Sequence, residues 1–281
     1  MSSPMGAAEA RAPFGSYLPS PVQSAVIAAG MRQPANTFGR RMASFIRSFL
    51  KRWSAQPIDA VRLGSRMRLH PKGNSCEARL LVSPQFFDPA ELALLESVLS
   101  PRFVFIDIGA NVGTYTLFVA TRTGRSARLI AVEPHPRARE RLACNLALNG
   151  IDWVKVIPEA VSDQPGTARL YLNDRNIGSS SLRRDWEEDI TTDSIDVPAR
   201  TLLDLVTQEG LTHIDCIKAD VEGFEDHVFL PYFRDAPAAL RPSMLIIEGG
   251  REERSELMQC LHRNGYELRL ATRNNVVLQR A

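Results

Sequence analysis

The chain has 281 residues, of which 44% are apolar and 23% charged, and its 34 basic and 32 acidic residues leave a formal charge of +2. This is the composition of an ordinary globular protein, long enough to bury a core without covalent staples. It excludes a nucleic-acid binder argued from bulk charge, and no apolar run approaches the roughly 18 residues of a membrane span.

The charge is unevenly spread. Residues 1–58 carry seven bases against Glu9 alone, a net of +6, so residues 59–281 carry −4. Cys76, Cys144, Cys216 and Cys260 form no C-x-x-C pair, which fits neither a disulfide framework nor a zinc site and points to a reducing, cytoplasmic setting. The first residues lack the basic and apolar segments of a secretory signal.

Residues 1–36, rich in Ala, Ser, Pro and Gly, read as disordered or loosely ordered. Over residues 37–65, Phe38, Met42, Phe45, Ile46, Phe49, Leu50 and Trp53 recur at helical spacing, with Arg40, Arg41, Arg47, Lys51 and Arg52 largely on the other face. The apolar stripe is expected to pack on the main domain or on a second subunit. The alternative partner is an anionic membrane surface.

Residues 66–86 read as short strands around the turn Pro71–Lys72–Gly73–Asn74. Asp88–Pro89–Ala90–Glu91 then predicts a helix start, with Asp88 as N-cap and Glu91 closing a capping box. From Arg102 onward strand and helix alternate. Phe103–Ile108, Leu129–Val132, Val154–Ile157, Ile214–Ile217 and Met244–Ile247 are short, β-branched apolar runs of the kind buried on both faces of a parallel sheet. Helical stretches fall near 114–122, 136–147, 201–208, 222–230 and 251–263, and residues 266–270 and 275–279 read as two more strands. The class is α/β, a doubly wound, Rossmann-like domain over 66–281 with an N-terminal helical extension.

The segment Asp107–Ile108–Gly109–Ala110–Asn111–Val112–Gly113 joins a buried strand to a helix. Its glycines let a ligand approach the backbone, and the helix N-terminus faces that ligand. Twenty residues after Gly113, Glu133 ends the next strand, where an acid can accept both ribose hydroxyls of an adenosine. A dinucleotide loop has a glycine where Asn111 stands, and Asp107 would repel a pyrophosphate while suiting the ammonium group of S-adenosylmethionine.

With these residues in view, the sequence resembles the FkbM-type family of S-adenosylmethionine-dependent, class I methyltransferases. FIDIGANVGTYTLFVA, AVEPHP, PEAVSD with a hairpin at Gly166, IKADVEGFE and LIIEGG follow one another in that family's order over about residues 66–281. The family implies a seven-stranded sheet with an antiparallel last strand, and methyl transfer, usually to oxygen on sugars or natural products. TLLD at 201–204 and Phe224 depart from its pattern. Carried over, Asp107, Gly109, Ala110, Asn111 and Gly113 would line the methionine end of the cofactor, Glu133 would hold the ribose with Pro134 shaping the turn, and Glu159 and Ala160 would meet the adenine.

A hydroxyl nucleophile must also lose its proton, to a base or through a metal. Asp220 and Glu248, at the carboxyl ends of two strands, are the candidate base or ligands for Mg²⁺ or Mn²⁺. Lys218 and Glu222 lie beside them, although Lys218 can simply pair with a carboxylate, and Glu222 and Glu225 can simply favour a helix start. His135 stands where it would border the cofactor and His227 where it can face the substrate, but for each a surface or capping histidine is the simpler reading. Residues 176–181 are placed either as a loop covering the substrate or as an ordinary surface loop. The function expected is O-methylation of a sugar, glycan or natural-product acceptor, without nucleic acid. The alternatives are a nicotinamide-dependent oxidoreductase and a non-catalytic, membrane-docked glycan-binding module.

Overall fold

The structure, a computed structural model, describes residues 6–54, 56–173, 175–184, 193–249 and 255–280. Helices α1 (Ala7–Arg11), α2 (Pro21–Met31) and α3 (Thr37–Trp53) precede a hairpin of β1 (Ile58–Arg62) and β2 (Ser65–Leu69). Helices α4 (Ser75–Val82) and α5 (Pro89–Val98) follow. The main domain then runs β3 (Val104–Ile108), α6 (Thr114–Thr123), β4 (Arg128–Val132), α7 (Pro136–Leu148), β5 (Lys155–Ile157), β6 (Ala160–Val161), β7 (Gly166–Tyr171) and β8 (Ser194–Arg200). It closes with α8 (Leu202–Gln208), β9 (Cys216–Ala219), α9 (Glu225–Asp235), β10 (Met244–Glu248), α10 (Glu256–Arg263), β11 (Tyr266–Ala271) and β12 (Asn275–Arg280).

Seven strands form one sheet in the order β11-β12-β10-β9-β3-β4-β5. β10, β9, β3, β4 and β5 are parallel, and β12 enters antiparallel between β10 and β11. The expected doubly wound sheet with an antiparallel last strand is present. Because side chains alternate along a strand, Phe105, Leu129, Cys216, Ile246 and Val277 feed one core layer, beneath α4 to α7. Ile106, Ile130, Ile217, Leu245 and Leu278 feed the other, beneath α8 to α10. From β3 the chain winds outward through β4 to β5, and β9 adds on β3's other side. This places the topological switch at the carboxyl ends of β3 and β9. A second sheet, β6-β8-β7, stands beside that edge.

Residues 6–36 are not loose: Ser20 and Gln23 form a capping box on α2, and Gly30 lies so close to Val82 that a Cβ would sit 2.3 Å from its Cγ1. The buried Asp59–Arg68 pair (2.8 Å) ties down the segment ahead of α2: the Gly15 amide donates to Asp59 (2.8 Å), Arg68 donates to the Pro13 carbonyl (3.0 Å), and His70 pairs with Glu9 (2.6 Å). The hairpin β1–β2 also crosses the expected boundary at residue 66. Of residues 66–86, only 66–69 are strand. Asn74 caps α4, whose Glu77 is buried against Arg141, so tertiary pairing fixes an eight-residue helix too short to declare itself by period. At α5 no capping box forms. Asp88 takes a left-handed backbone (φ 43°) and accepts a hydrogen bond from Tyr115, while Glu91 accepts from Thr272 and Asn275.

Helix α3 does pack, against α2 and α4, through Ala43, Ile46 and Leu50, with Gly39 against Pro34, and the remaining five members of the apolar stripe face outward. Of the expected helix at 251–263, residues 251–254 lie outside the described residues.

Candidate active site

The loop after β3 is shaped by contacts that permit no side chain. At Gly109 (φ 72°) a Cβ would lie 1.9 Å from the backbone oxygen of Asp220, the residue following β9. Gly113 (φ 87°) opens α6 against Leu142, whose Cδ1 would be 2.3 Å from an added Cβ. Between them Asn111 also takes a left-handed backbone (φ 51°), aiming its amide at Glu133. Glu133 is buried at the end of β4: its Oε2 accepts from the Asn111 amide (2.7 Å) and its Oε1 from the His135 amide (2.8 Å). Burial nevertheless pushes its pKa up to about 7, the two amides only partly opposing it.

Two cavities adjoin this loop and share Gly109, Asn111, Gly178, Asp220 and Glu222. The first is walled by apolar side chains, Ile108, Val132, Val161, Leu170, Leu182 and Val221, with Glu133 and His135 among its polar groups. The second cavity lies over the opposite face of the sheet. Period-two alternation brings Asp107, Lys218, Glu248 and Asn275 to that face, and α4 to α6 add Arg79, Asp88 and Tyr115.

Lys218 organises this second cavity. Only 3% exposed, its ammonium is 2.7 Å from Asp220 Oδ2 and lies 5.4 Å from the Tyr115 ring centroid. Burial works against its charge, but Asp220 and Asp107 more than offset this and raise its pKa above the usual lysine value. Asp220 is likewise held below the usual range, Lys218 and a hydrogen bond with Glu248 outweighing burial. Glu248 goes the other way: burial and the neighbouring Asp220 charge push it up to about 11. Asp107 is raised by burial, against the pull of Lys218, and accepts from both the amide and the hydroxyl of Thr116 (3.0 and 2.6 Å).

The structure therefore brings Asp107, Gly109, Ala110, Asn111, Lys218, Asp220, Glu222 and Glu248 to one cavity, and Glu133, Pro134, Glu159 and Ala160 to the other. Gly113 stands behind the loop and lines neither. Both oxygens of Glu159 are held by Arg200, which fixes it at the rim. Glu222 is not in a helical turn but in the bend before α9, with φ 53°. Oxygens of Asp220, Glu222 and Glu248 lie within 4.8 Å of one another, close enough to share a cation. His135 borders the first cavity, its pKa lowered to about 4 by burial and by Arg137.

His227 does not face either cavity: it stacks on Phe224 (4.2 Å between centroids) and approaches Asp163 on the outer side of α9. The segment 176–181 does run over both cavities, anchored by the Ile177 amide on the Gly73 carbonyl and by Ser181 on the Glu222 carbonyl. Arg79, Tyr115 and Asn275 escaped the sequence reading, and Asn74 and Asp88 entered it only as a turn residue and a helix start.

The profile of the family described as Methyltransferase FkbM domain matches residues 107–268. The chain is 29% identical over 209 residues to the AMB antimetabolite synthetase AmbE of Pseudomonas aeruginosa, an overlap of 61% of this chain with 10% of that protein. It is 31% identical over 147 residues to Methyltransferase sdnD of Sordaria araneosa, covering 43% of this chain and 56% of the relative. It thus spans about a tenth of the first relative and about half of the second. Among solved structures, Methyltransferase FkbM from Methylobacillus flagellatus KT aligns with a TM-score of 0.45 and 17% identity, over 73% of this chain and 54% of that one. The profile match extends over more than half of the chain and contains the glycine loop, Glu133, Asp220 and Glu248. The chain belongs to the FkbM methyltransferase family.

Proposed function

We propose that this methyltransferase moves the methyl group of S-adenosylmethionine to a hydroxyl oxygen of a sugar, glycan or natural product. The observation that carries the reading is the meeting of an apolar cavity and a charged one at Gly109 and Asp220. The residues fit the cofactor. Glu133 would take the ribose hydroxyls, Ile108, Val132, Val161 and Leu170 would flank the base, and the bare Gly109 backbone leaves room for the methionine end. Asp107 is shielded by Thr116 and contributes at most a field to the ammonium group, a weaker role than the sequence suggested. Bound there, the cofactor supplies an electrophilic methyl group whose transfer disperses a positive charge.

Everything else falls to the chain. Asp220, kept ionised by Lys218, is the group that orients an acceptor hydroxyl and receives its proton, and Glu248 steadies it by a hydrogen bond. The wall of Asn74, Asn176, Asn275 and Ser179 offers donors and acceptors suited to a polyhydroxylated acceptor. The close approach of Asp220, Glu222 and Glu248 favours a second reading of the proton step, in which Mg²⁺ or Mn²⁺ held by these carboxylates lowers the hydroxyl's pKa.

Calorimetry with S-adenosylmethionine, S-adenosylhomocysteine and NADH, followed by labelled methyl transfer to pools of glycans and natural products, tests the reading. Expected are binding of the first two, no binding of NADH, and an O-methylated product by mass spectrometry. Binding of NADH alone, or a product methylated on nitrogen, would overturn it. Loss of activity with a chelator, restored by Mg²⁺ or Mn²⁺, would select the metal route.

A further inference from the structure

Among the described residues, eight of the ten large apolar side chains that stand exposed lie between residues 18 and 53: Leu18, Val22, Met31, Phe38, Met42, Phe45, Phe49 and Trp53. Five of them form the outward stripe of α3, where Phe38 is 65%, Phe45 70% and Trp53 63% exposed. The stripe is continuous. Phe49 and Trp53 rings touch at 4.8 Å between centroids, and Trp53 shares a hollow with Leu18. Single exposed apolar residues are commonplace, but such a run marks a surface that meets something.

The surroundings specify what. Residues 6–76 contain two carboxylates, Glu9 and Asp59; Asp59 is paired with Arg68, and Glu9 lies 2.6 Å from His70. The same stretch exposes Arg11, Arg32, Arg40, Arg41 and Arg52. At 100° per residue, Arg41 and Arg52 fall on the flank of the stripe that the domain leaves open, while Arg47 and Lys51 turn inward to Ser83 and Ser75. We infer that α3 is a docking helix for an anionic lipid surface. Its aromatic stripe would enter the interface while Arg41 and Arg52 meet the headgroups. From Phe38 to Trp53 the stripe is about 22 Å long at 1.5 Å per residue, and no helix among the described residues is long and apolar enough to cross a membrane, so α3 would lie flat. Ala43, Ile46 and Leu50 already bury its other face, so the protein can dock without unfolding. A second copy of the chain is the poorer occupant, because two such faces would set uncompensated arginines against each other.

The test uses the full chain with vesicles of phosphatidylcholine, alone or mixed with phosphatidylglycerol. Sedimentation with the mixed vesicles only, weakening as salt rises, is the expected result. Phe45→Ser/Phe49→Ser and Arg41→Gln/Arg52→Gln should each weaken it by roughly tenfold or more while S-adenosylmethionine binding and thermal stability stay unchanged. Quenching by brominated lipid should be largely lost in Trp53→Phe. Absence of vesicle binding at low salt would overturn the inference, as would undiminished binding of Phe45→Ser/Phe49→Ser. A dimer in sedimentation equilibrium that this double variant converts to monomer would assign the stripe to a second copy instead.

Discussion

The two cavities meet at Gly109 yet are made on opposite principles, because consecutive residues of one strand serve different faces. Ile108 walls the apolar cavity, while Asp107, one position earlier, belongs to the charged one. The apolar cavity holds Glu133, a buried carboxylate fixed by backbone amides, so a change there should alter affinity. The charged cavity is a network around Lys218 in which each group fixes the ionisation of the next, and changes there should alter stability or turnover.

The harshest way to break this contrast is Lys218→Met. It leaves Asp107 and Asp220 facing each other without a cation, at an expected cost of about 3–5 kcal/mol in denaturant unfolding. Next comes Asp220→Asn, which keeps the shape and the contact with Gly109. Cofactor binding by calorimetry should survive, while turnover falls by roughly a hundredfold or more. In the other cavity, Glu133→Ala should weaken S-adenosylmethionine and S-adenosylhomocysteine alike, by about 1.5–3 kcal/mol.

The ionisation of Glu133 sharpens the comparison. Its pKa rises from an ordinary 4.5 when unfolded to about 7 in the fold. The native chain therefore binds more protons between these values. This stabilising contribution is complete below about pH 4.5 and is lost as pH rises through about 7. Ribose hydroxyls donate to the ionised form, so cofactor affinity should move the opposite way, increasing through about pH 7. Glu133→Gln should flatten both profiles. The smallest expected effect is His227→Ala: outside both cavities, it should leave turnover unchanged in the same assay.

How far each cavity could be read from the chain follows from where its residues come from. Gly109, Asn111 and Glu133 stand within one strand–loop–helix–strand unit, and the spacing from Gly113 to Glu133 is set by the length of that unit. The buried strands were legible because a run apolar on both faces has few other uses. Arg79, Asp88 and Asn275 reach the charged cavity from α4, from the residue before α5 and from β12, separated from Asp220 by more than a hundred residues in two cases. No local period records such a meeting. Asp88 even carried a misleading local signal, since its carboxylate serves Tyr115 rather than the helix start. For α3 the stripe was legible, but its direction depended on Gly39 and Ala43, small residues that add little to an apolar pattern and yet let the helix sit close to its neighbours.

The strand order also carries a kinetic consequence. β3 and β9 are bonded neighbours at the centre of the sheet, with Ile106 opposite Ile217, so their pairing closes a loop of roughly a hundred residues. β12, which brings Asn275 to the charged cavity, then has to slot between β10 and β11. During synthesis the glycine loop, β4 and Glu133 all emerge well before β9 supplies their central partner. The nascent chain thus spends an interval with the edge of β3 unpaired, a state prone to wrong strand pairing. Refolding should be slow for the size of the domain, with protection of the β3 amides lagging behind that of the helices in pulsed hydrogen exchange.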